Sequence, residues 1–160
     1  MDNDPNSPFE GRAPEDFLVS PDDRQEGSRP HRGVRMTGED GDDGPKAFYI
    51  QIEARPGREE DVVDMLRDIR ACVEDEPGTG PWYGFRYSRT SFGIFEAFPD
   101  IAARQAHVDG RGGDIFRDAE RMNAILASPA HVMKVDPLFS KQVFAEGATP
   151  TAKVGARDHG

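Results

Sequence analysis

The sequence of 160 residues predicts one small α+β domain whose strands and helices follow in the order β-α-β-β-α-β. Three observations support this: an alternating apolar stretch after Lys46, a helical stripe between residues 58 and 74, and two aromatic segments joined by a polar turn. This order is the ferredoxin-like split βαβ arrangement, a four-stranded antiparallel sheet with both helices on one face. We expect the domain at residues 46–143, between a disordered acidic Pro/Gly-rich tail at 1–45 and a flexible tail at 144–160.

The first strand and the first helix have clear periodicities. Between Ala47 and Glu53, the apolar residues Phe48, Ile50 and Ile52 alternate with polar ones, which predicts a half-buried strand. The helix from about residue 58 to 74 begins with acidic residues, which suit its positive end, and ends at Pro77-Gly78. One face of this helix is apolar: Val62, Met65, Leu66, Ile69, Cys72 and Val73.

The remaining elements follow from turn and capping signals. Segments 82–88 and 92–98 are rich in aromatic residues and flank the turn Arg89-Thr90-Ser91, which predicts an antiparallel hairpin. Asp100 is the expected N-cap of a second helix, which ends near Val108. We interpret residues 110–113, Gly-Arg-Gly-Gly, as a flexible break or lid before a third helical segment at about 114–127. A last strand starts at His131 and ends near Val135 or Leu138.

The pattern of the strands also predicts a homodimer. Tyr, Phe and Val occupy both faces of the predicted strands, so both faces of the sheet need a cover. The helices can cover only one face, and a folded part of this size has no further element for the other. We therefore expect a two-fold dimer with the sheets face to face.

Charge and composition exclude several classes of function. Residues 1–45 hold 12 acidic and 5 basic residues and almost no apolar periodicity, which is typical of disorder. Residues 46–143 hold 16 acidic and 13 basic residues, so no basic face for nucleic acid is expected. Cys72 is the single cysteine, and no signal peptide or membrane-spanning run is visible. We expect a cytoplasmic protein that contacts neither membrane nor nucleic acid, with the N-terminal tail available to a protein partner.

The segment from Glu96 to His107 resembles the antibiotic biosynthesis monooxygenase family, the quinol monooxygenase-like members of the dimeric α/β barrels. In that family, a Glu or Gln on the third strand is followed two residues later by a Trp and nine residues after that by a His. Glu96, Phe98 and His107 occupy these positions here. The resemblance covers residues 46–138 and includes the joints at 54–60 and 76–78. Phe98 departs from the family's Trp, and residues 110–113 depart from its usual helix start.

The resemblance implies a cofactor-independent monooxygenase that oxidises a quinol, an anthrone or a related phenolic molecule, with no cofactor and no metal. The alternatives are a non-catalytic small-molecule-binding or accessory dimeric module, and a dehydratase or isomerase on the same fold. Haem degradation is not favoured, because the first strand lacks the Asn and the third strand lacks the Trp on which such relatives rely. No metal-ligand spacing is present in the sequence.

The candidate catalytic residues are His107 and Arg104. A neutral imidazole at His107 could take a proton from a phenolic substrate or orient it, although a helix histidine that only packs or hydrogen-bonds fits the sequence as well. Arg104, one turn earlier, could hold the resulting anion. The candidate substrate-binding residues are Tyr87, Ile94, Glu96 and Phe98, and for each aromatic ring the alternative is ordinary core or dimer interface.

Two of these substrate-binding candidates carry a specific expectation. Tyr87 and Trp82 lie on opposite faces of their strand, so only one can face the pocket, and we choose Tyr87. Glu96 is a carboxylate on an apolar strand face, so it needs a partner or a raised pKa. The structural alternative to a chemical role is an ion pair with Arg86 or Arg104.

Overall fold

The computed structural model describes residues 31–141, whose strands form one sheet in the order β1-β5-β2-β4-β3. Strand β1 is parallel to β5, and the other neighbouring pairs are antiparallel. The elements are β1 Val34–Thr37, β2 Lys46–Glu53, α1 Glu59–Val73, β3 Trp82–Arg86, β4 Ser91–Phe98, α2 Ile101–Asp109, α3 Arg111–Arg117, α4 Ala119–Ile125 and β5 Ala130–Val135. The predicted ferredoxin-like α+β fold is confirmed.

The core lies between one face of the sheet and the helices. On the central strand β2, Phe48, Ile50 and Ile52 are buried on this face, as their alternation predicts. Ile50 pairs with Ile94 of β4 on one side and Val132 of β5 on the other, so the apolar residues of three strands are in register. Helix α1 covers them with its predicted stripe, which includes the buried Val62, Met65 and Ile69.

The predicted start of the domain at residue 46 is wrong, because part of the preceding stretch belongs to the sheet. Strand β1 pairs with β5, and the backbone of His31 donates a hydrogen bond to the Asn123 side chain at 2.7 Å. The strand has only four residues between Gly33 and Gly38, and its hydrogen bonds come from β5, so its own pattern gives little signal. The sheet therefore has five strands rather than four. Residues 1–30 and 142–160, which include most of the predicted tails, lie outside the described residues.

The glycine-rich stretch after α2 is a helix junction rather than the predicted break or lid. Helix α3 begins at Arg111, and the segment predicted as one helix at 114–127 continues as α4 after Asp118. A Cβ on Gly113 would lie 1.8 Å from the Val108 carbonyl oxygen, and one on Gly112 would lie 3.4 Å from Cε1 of His107. Glycine here lets α3 pack closely on the end of α2. The predicted N-cap of α2 is confirmed, since Asp100 accepts from the Ala103 N–H at 2.8 Å.

The second face of the sheet carries aromatic side chains that no described helix covers. Phe85 of β3 stacks on Tyr49 of β2 with ring centroids 6.5 Å apart. The centroid of the Tyr87 ring lies 6.3 Å from that of Phe85. Tyr83 and Tyr87 are 59% and 50% exposed. In the described part of the chain, no helix has both the length and the apolar character needed to span a bilayer.

Candidate functional site

His107 lies on α2 between two carboxylates. Its side chain is 6% exposed, with Nδ1 2.6 Å from Oε1 of Glu76 and Nε2 3.0 Å from Oε1 of Glu96. Each ring nitrogen thus lies within hydrogen-bond distance of a carboxylate oxygen, and an imidazolium can donate from both nitrogens at once.

The electrostatics of His107 agree with this geometry. Burial by itself lowers the pKa of His107, but the hydrogen bond and charge of Glu96, followed by those of Glu76, outweigh it. The net result raises the pKa of His107 from 6.5 to about 9. The expectation of a neutral imidazole base therefore differs from the structure, in which His107 is cationic at neutral pH and orients Glu96.

Glu96 faces inward from β4 and is only 1% exposed. The expected ion pair with Arg86 or Arg104 is wrong, because the cation that Glu96 contacts is His107. Arg86 instead lies over the Phe92 ring, 4.7 Å from its centroid. Oε1 of Glu96 accepts from His107, whereas Oε2 is buried and has no hydrogen-bond partner within residues 31–141. A buried carboxylate oxygen without a hydrogen-bond partner is energetically costly.

A small cavity lies beside this pair, between the sheet and helices α2 and α3. Its volume is about 130 Å³, and Glu96, His107 and Arg117 are the charged residues of its wall. The rest of the wall is apolar: Val34, Met36, Phe48, Ile50, Val108, Gly113, Phe116 and Val132. Strand β1 contributes two of these residues, so the segment that the sequence interpretation assigned to the tail forms one wall of the cavity.

Arg104 does not line this cavity. Its guanidinium donates to the Ala47 carbonyl at 3.1 Å and to Asp40 at 2.9 Å, and it lies 5.3 Å from the centroid of the Phe48 ring. Asp40 also pairs with Lys134 at 3.0 Å, and hydrogen bonds from Lys134 and Arg104 lower the pKa of Asp40. Arg104 thus links Asp40 in the β1–β2 connection to strand β2 of the sheet. It does not lie where it could bind a substrate anion in the cavity.

The predicted substrate-binding residues separate into three places. Glu96 lines the cavity, whereas Ile94 is fully buried in the core and is not part of the cavity wall. Phe98 packs against Phe48 and His107, with ring centroids 5.7 Å and 5.2 Å away. Tyr87 lies on the opposite face of the sheet from His107, so the choice of Tyr87 over Trp82 for the helix-facing side is wrong. Burial, followed by the charges of Tyr49 and Glu53, raises the pKa of Tyr87 to about 12.

Glu76 is a residue of the candidate site that the sequence reasoning missed. It lies in the turn after α1, where its backbone N–H bonds to the Val73 carbonyl at 3.0 Å and its side chain is 22% exposed. Glu76 lies outside every helix and strand and contacts His107 across 31 positions of the chain, so no periodicity could have pointed to it. Within residues 31–141 no group of His, Cys, Asp and Glu side chains could hold a metal ion. The two carboxylates lie on opposite sides of the imidazole and cannot converge on one ion.

Comparison with known proteins identifies relatives among solved structures. No family model and no curated protein matches the chain. A protein of unknown function from Nitrosomonas europaea is 31% identical with a TM-score of 0.57, and the match covers 62% of this chain and 94% of that one. Two structures named "putative antibiotic biosynthesis monooxygenase" also match. The Caulobacter crescentus protein is 19% identical with a TM-score of 0.52, and the match covers 61% of this chain and 92% of that one. A second Nitrosomonas europaea protein is 16% identical with a TM-score of 0.55, and the match covers 63% of this chain and 97% of that one.

The fold and the site define a ferredoxin-like α+β protein with a buried carboxylate–imidazolium pair beside a small apolar cavity. Structures that carry the family name predicted by the sequence resemblance therefore share the fold of this chain. The relatives that carry this name share the fold at 16–19% identity, so the name alone does not assign a reaction to this chain.

Proposed function

We propose that the protein is a cofactor-independent monooxygenase that oxidises a quinol, an anthrone or a related phenolic molecule in the cavity beside His107. The observation that carries the proposal is that Glu96, whose buried Oε2 has no hydrogen-bond partner in the described residues, lines a mostly apolar cavity. Ligand sites typically combine such an apolar wall with a few polar groups that fix orientation. A phenolic hydroxyl supplies the donor that this oxygen lacks.

The proposed chemistry starts with proton transfer from the phenolic hydroxyl to Oε2 of Glu96. The negative charge then moves from the carboxylate to the substrate, while the His107 cation remains next to the pair. The electron-rich anion can pass electrons to O₂. A quinol and O₂ give a hydroxyquinone and water: O₂ takes four electrons, one of its oxygen atoms stays on the ring and the other leaves as water. Because no net proton is released, the proton that Glu96 accepts returns to the leaving oxygen.

The size of the cavity favours a small substrate. Its volume of about 130 Å³ is below the ~300–1,000 Å³ that is usual for pockets that hold drug-sized ligands. In this conformation the cavity therefore suits a single-ring quinol better than a three-ring anthrone.

The test is O₂ uptake by the purified chain with a panel of quinols and anthrones. We expect Glu96→Gln to reduce the rate by at least ~100-fold, the usual contribution of a general base. The control is Glu60→Gln, which removes a carboxylate that is 83% exposed and is not part of the cavity wall. Unchanged O₂ uptake in Glu96→Gln, or no uptake on any substrate of the panel, would overturn the proposal.

A second candidate function is a non-catalytic module that binds a small aromatic molecule. It is favoured because both nitrogens of His107 are engaged and Arg104 is committed to Asp40 and Ala47, which leaves few groups for chemistry. Stoichiometric binding of a phenol without O₂ uptake would favour this function. Conversion of the ligand without O₂ uptake would instead indicate an isomerase or a dehydratase.

We also propose that the protein is a homodimer that uses the aromatic face of the sheet. Tyr83 and Tyr87 are at least half exposed there, next to the stacked rings of Tyr49 and Phe85. Burial of such rings against a second copy removes apolar surface from water. Light scattering at micromolar concentration should give a dimer, and the double variant Tyr83→Asp, Tyr87→Asp should give a folded monomer. A wild-type monomer would contradict this proposal.

A further inference from the structure

We infer that a groove between α1 and β3 is a second ligand site, which binds an organic anion with an apolar ring. This site is separate from the cavity beside His107 and goes beyond the proposed function. The groove has a volume of about 330 Å³, which reaches the ~300–1,000 Å³ that is usual for pockets that hold drug-sized ligands. Among the described residues, the groove and the cavity share no wall residue.

Helix α1 forms one wall of the groove and combines apolar with cationic side chains. Four wall residues lie on one face of the helix, because they are spaced by three and four positions: Val63, Leu66, Arg67 and Arg70. Val63 and Leu66 are half-buried and pack against the core. Arg67 and Arg70 extend into solvent and are 67% and 68% exposed. The helix therefore presents apolar surface directly beside two guanidinium groups.

Strand β3 forms the opposite wall. Trp82, Gly84 and Arg86 alternate along the strand, so their side-chain positions share one side of the sheet. A Cβ on Gly84 would lie 2.8 Å from Cη2 of Trp82, so glycine at this position lets the indole ring lie across the strand. The guanidinium of Arg86 lies over the Phe92 ring, 4.7 Å from its centroid. This wall thus adds aromatic surface and a third cation.

The charged side chains of the groove wall are all cationic. They are Arg67, Arg70 and Arg86, and none of the described residues that line the groove is acidic. The whole chain has a formal net charge of −10, so the groove is a local exception. Guanidinium groups present paired N–H donors that match the oxygens of a carboxylate or a phosphate. Three of them around apolar surface therefore match an oxyanion attached to an apolar ring.

The ion pairs of these arginines leave donors for a ligand. Arg67 pairs with Asp64, and Arg70 pairs with Glu74 at 3.3 Å, while Arg86 contacts one exposed carboxylate. Each of these contacts uses one guanidinium nitrogen, whereas a guanidinium has five N–H donors. Exposed ion pairs also contribute little to stability, so the side chains can turn toward a ligand at small cost.

The two parts of the ligand have separate roles in this groove. The oxyanion accepts hydrogen bonds from the guanidinium groups. The ring removes the half-buried Val63, Leu66 and Trp82 from water. An anion without a ring lacks the apolar contact, and a ring without a charge lacks the contact with the arginines. We therefore expect tight binding only when one molecule has both parts.

The test measures the fluorescence of Trp82, which is the only tryptophan of the chain and lies on the groove wall. Phenylbutyrate, phenyl phosphate, phenylbutyramide and acetate are titrated into the full chain near neutral pH, up to about 10 mM, so that millimolar dissociation constants are measurable. We expect both ring-bearing anions to change the fluorescence saturably. The neutral amide and acetate should bind at least ~tenfold more weakly. The tighter of the two ring-bearing anions identifies the preferred oxyanion.

The double variant Arg67→Gln, Arg70→Gln removes two of the three cations from the wall. Both side chains are exposed, so the fold should persist, which thermal unfolding verifies. We expect this variant to bind both ring-bearing anions at least ~tenfold more weakly and to bind the neutral amide as the wild type does. The control Arg89→Gln removes an arginine that is 82% exposed and is not part of the groove wall, so its binding should be unchanged.

Salt provides a second measurement that needs no variant. An increase in ionic strength from about 0.01 M to about 1 M shortens the Debye length from ~30 Å to ~3 Å. Binding of the ring-bearing anions to the wild type should therefore weaken several-fold, while that of the amide should not.

Three results would overturn the inference. They are no saturable change of Trp82 fluorescence with either ring-bearing anion, equal affinity for the neutral amide, and undiminished anion binding by the folded double variant. If the double variant does not fold, the wild-type titrations and their salt dependence decide. Failure of the proposed oxygenase is a separate result, because the binding assay involves neither O₂ nor the cavity beside His107.

Discussion

The cationic state of His107 predicts that the folded protein loses stability as the pH rises from about 6.5 to about 9. The pKa of His107 in the folded chain is about 9, above the ordinary value of 6.5 that applies to the unfolded chain. The folded state therefore binds the proton more tightly than the unfolded state. This contribution to stability is complete below pH 6.5 and is lost as the pH passes through the folded pKa.

The magnitude follows from the size of the shift. Each pKa unit corresponds to ~1.4 kcal/mol, so a rise from 6.5 to about 9 corresponds to about 3 kcal/mol of unfolding free energy. Solvent screening takes little from this value, since the His107 side chain is only 6% exposed. For a domain of this size, 3 kcal/mol is a large share of the total stability.

The assay combines NMR titration of the His107 ring with urea unfolding at a series of pH values from 6 to 10. Glu76→Gln removes one of the two carboxylates, so it should lower the titration midpoint and reduce the loss of stability across this range. The matched control is Glu74→Gln, because Glu74 lies on the exposed end of α1 and pairs with Arg70 instead. A midpoint near 6.5 in the wild type, or equal pH profiles for wild type and Glu76→Gln, would refute the reasoning.

Two further predictions concern the framework around the site. Replacing Arg104 by Met removes its hydrogen bonds inside the domain and should lower the unfolding free energy by ~2–4 kcal/mol in a urea titration. The control Arg67→Met removes an exposed ion pair and should change the unfolding free energy by less than ~0.5 kcal/mol. Gly113→Ala places a Cβ against the Val108 carbonyl and should lower the melting temperature by several degrees. In the control Gly110→Ala, the new Cβ makes only ordinary van der Waals contacts, so the melting temperature should not fall. Equal effects of the two variants would contradict the close packing of α3 on α2.

The sequence predicted the elements whose signal is local. The alternation of β2, the hairpin of β3 and β4, the stripe of α1 and the cap at Asp100 depend on neighbouring residues, and the structure confirms each of them. Strand β1 was missed because its hydrogen bonds come from β5, nearly a hundred residues later in the chain. The junction at Gly113 was misread because a glycine needed for close helix packing looks the same in sequence as one that allows flexibility.

The site could be predicted only in part for the same physical reason. The parity of β4 fixes Glu96 among inward-facing apolar residues, and the family spacing points to His107. Their direct contact depends on how α2 packs on the sheet, which the sequence does not specify. Glu76 lies in an irregular turn, so its contact with His107 could come only from the tertiary structure.

The buried charges of Glu96 and His107 predict that removing them increases the stability of the fold but abolishes ligand binding. A buried ion pair often contributes less to stability than apolar residues of similar volume, because both charges lose hydration. Here Oε2 of Glu96 also has no partner in the described residues, so this pair should be weaker than one that is fully hydrogen-bonded. The double variant Glu96→Met, His107→Leu should therefore unfold at an equal or higher urea concentration than the wild type, by up to ~1–4 kcal/mol in free energy. The same variant should lose phenol binding. If instead the double variant is strongly destabilised, the pair serves the fold, and the argument that Glu96 is retained for a ligand fails.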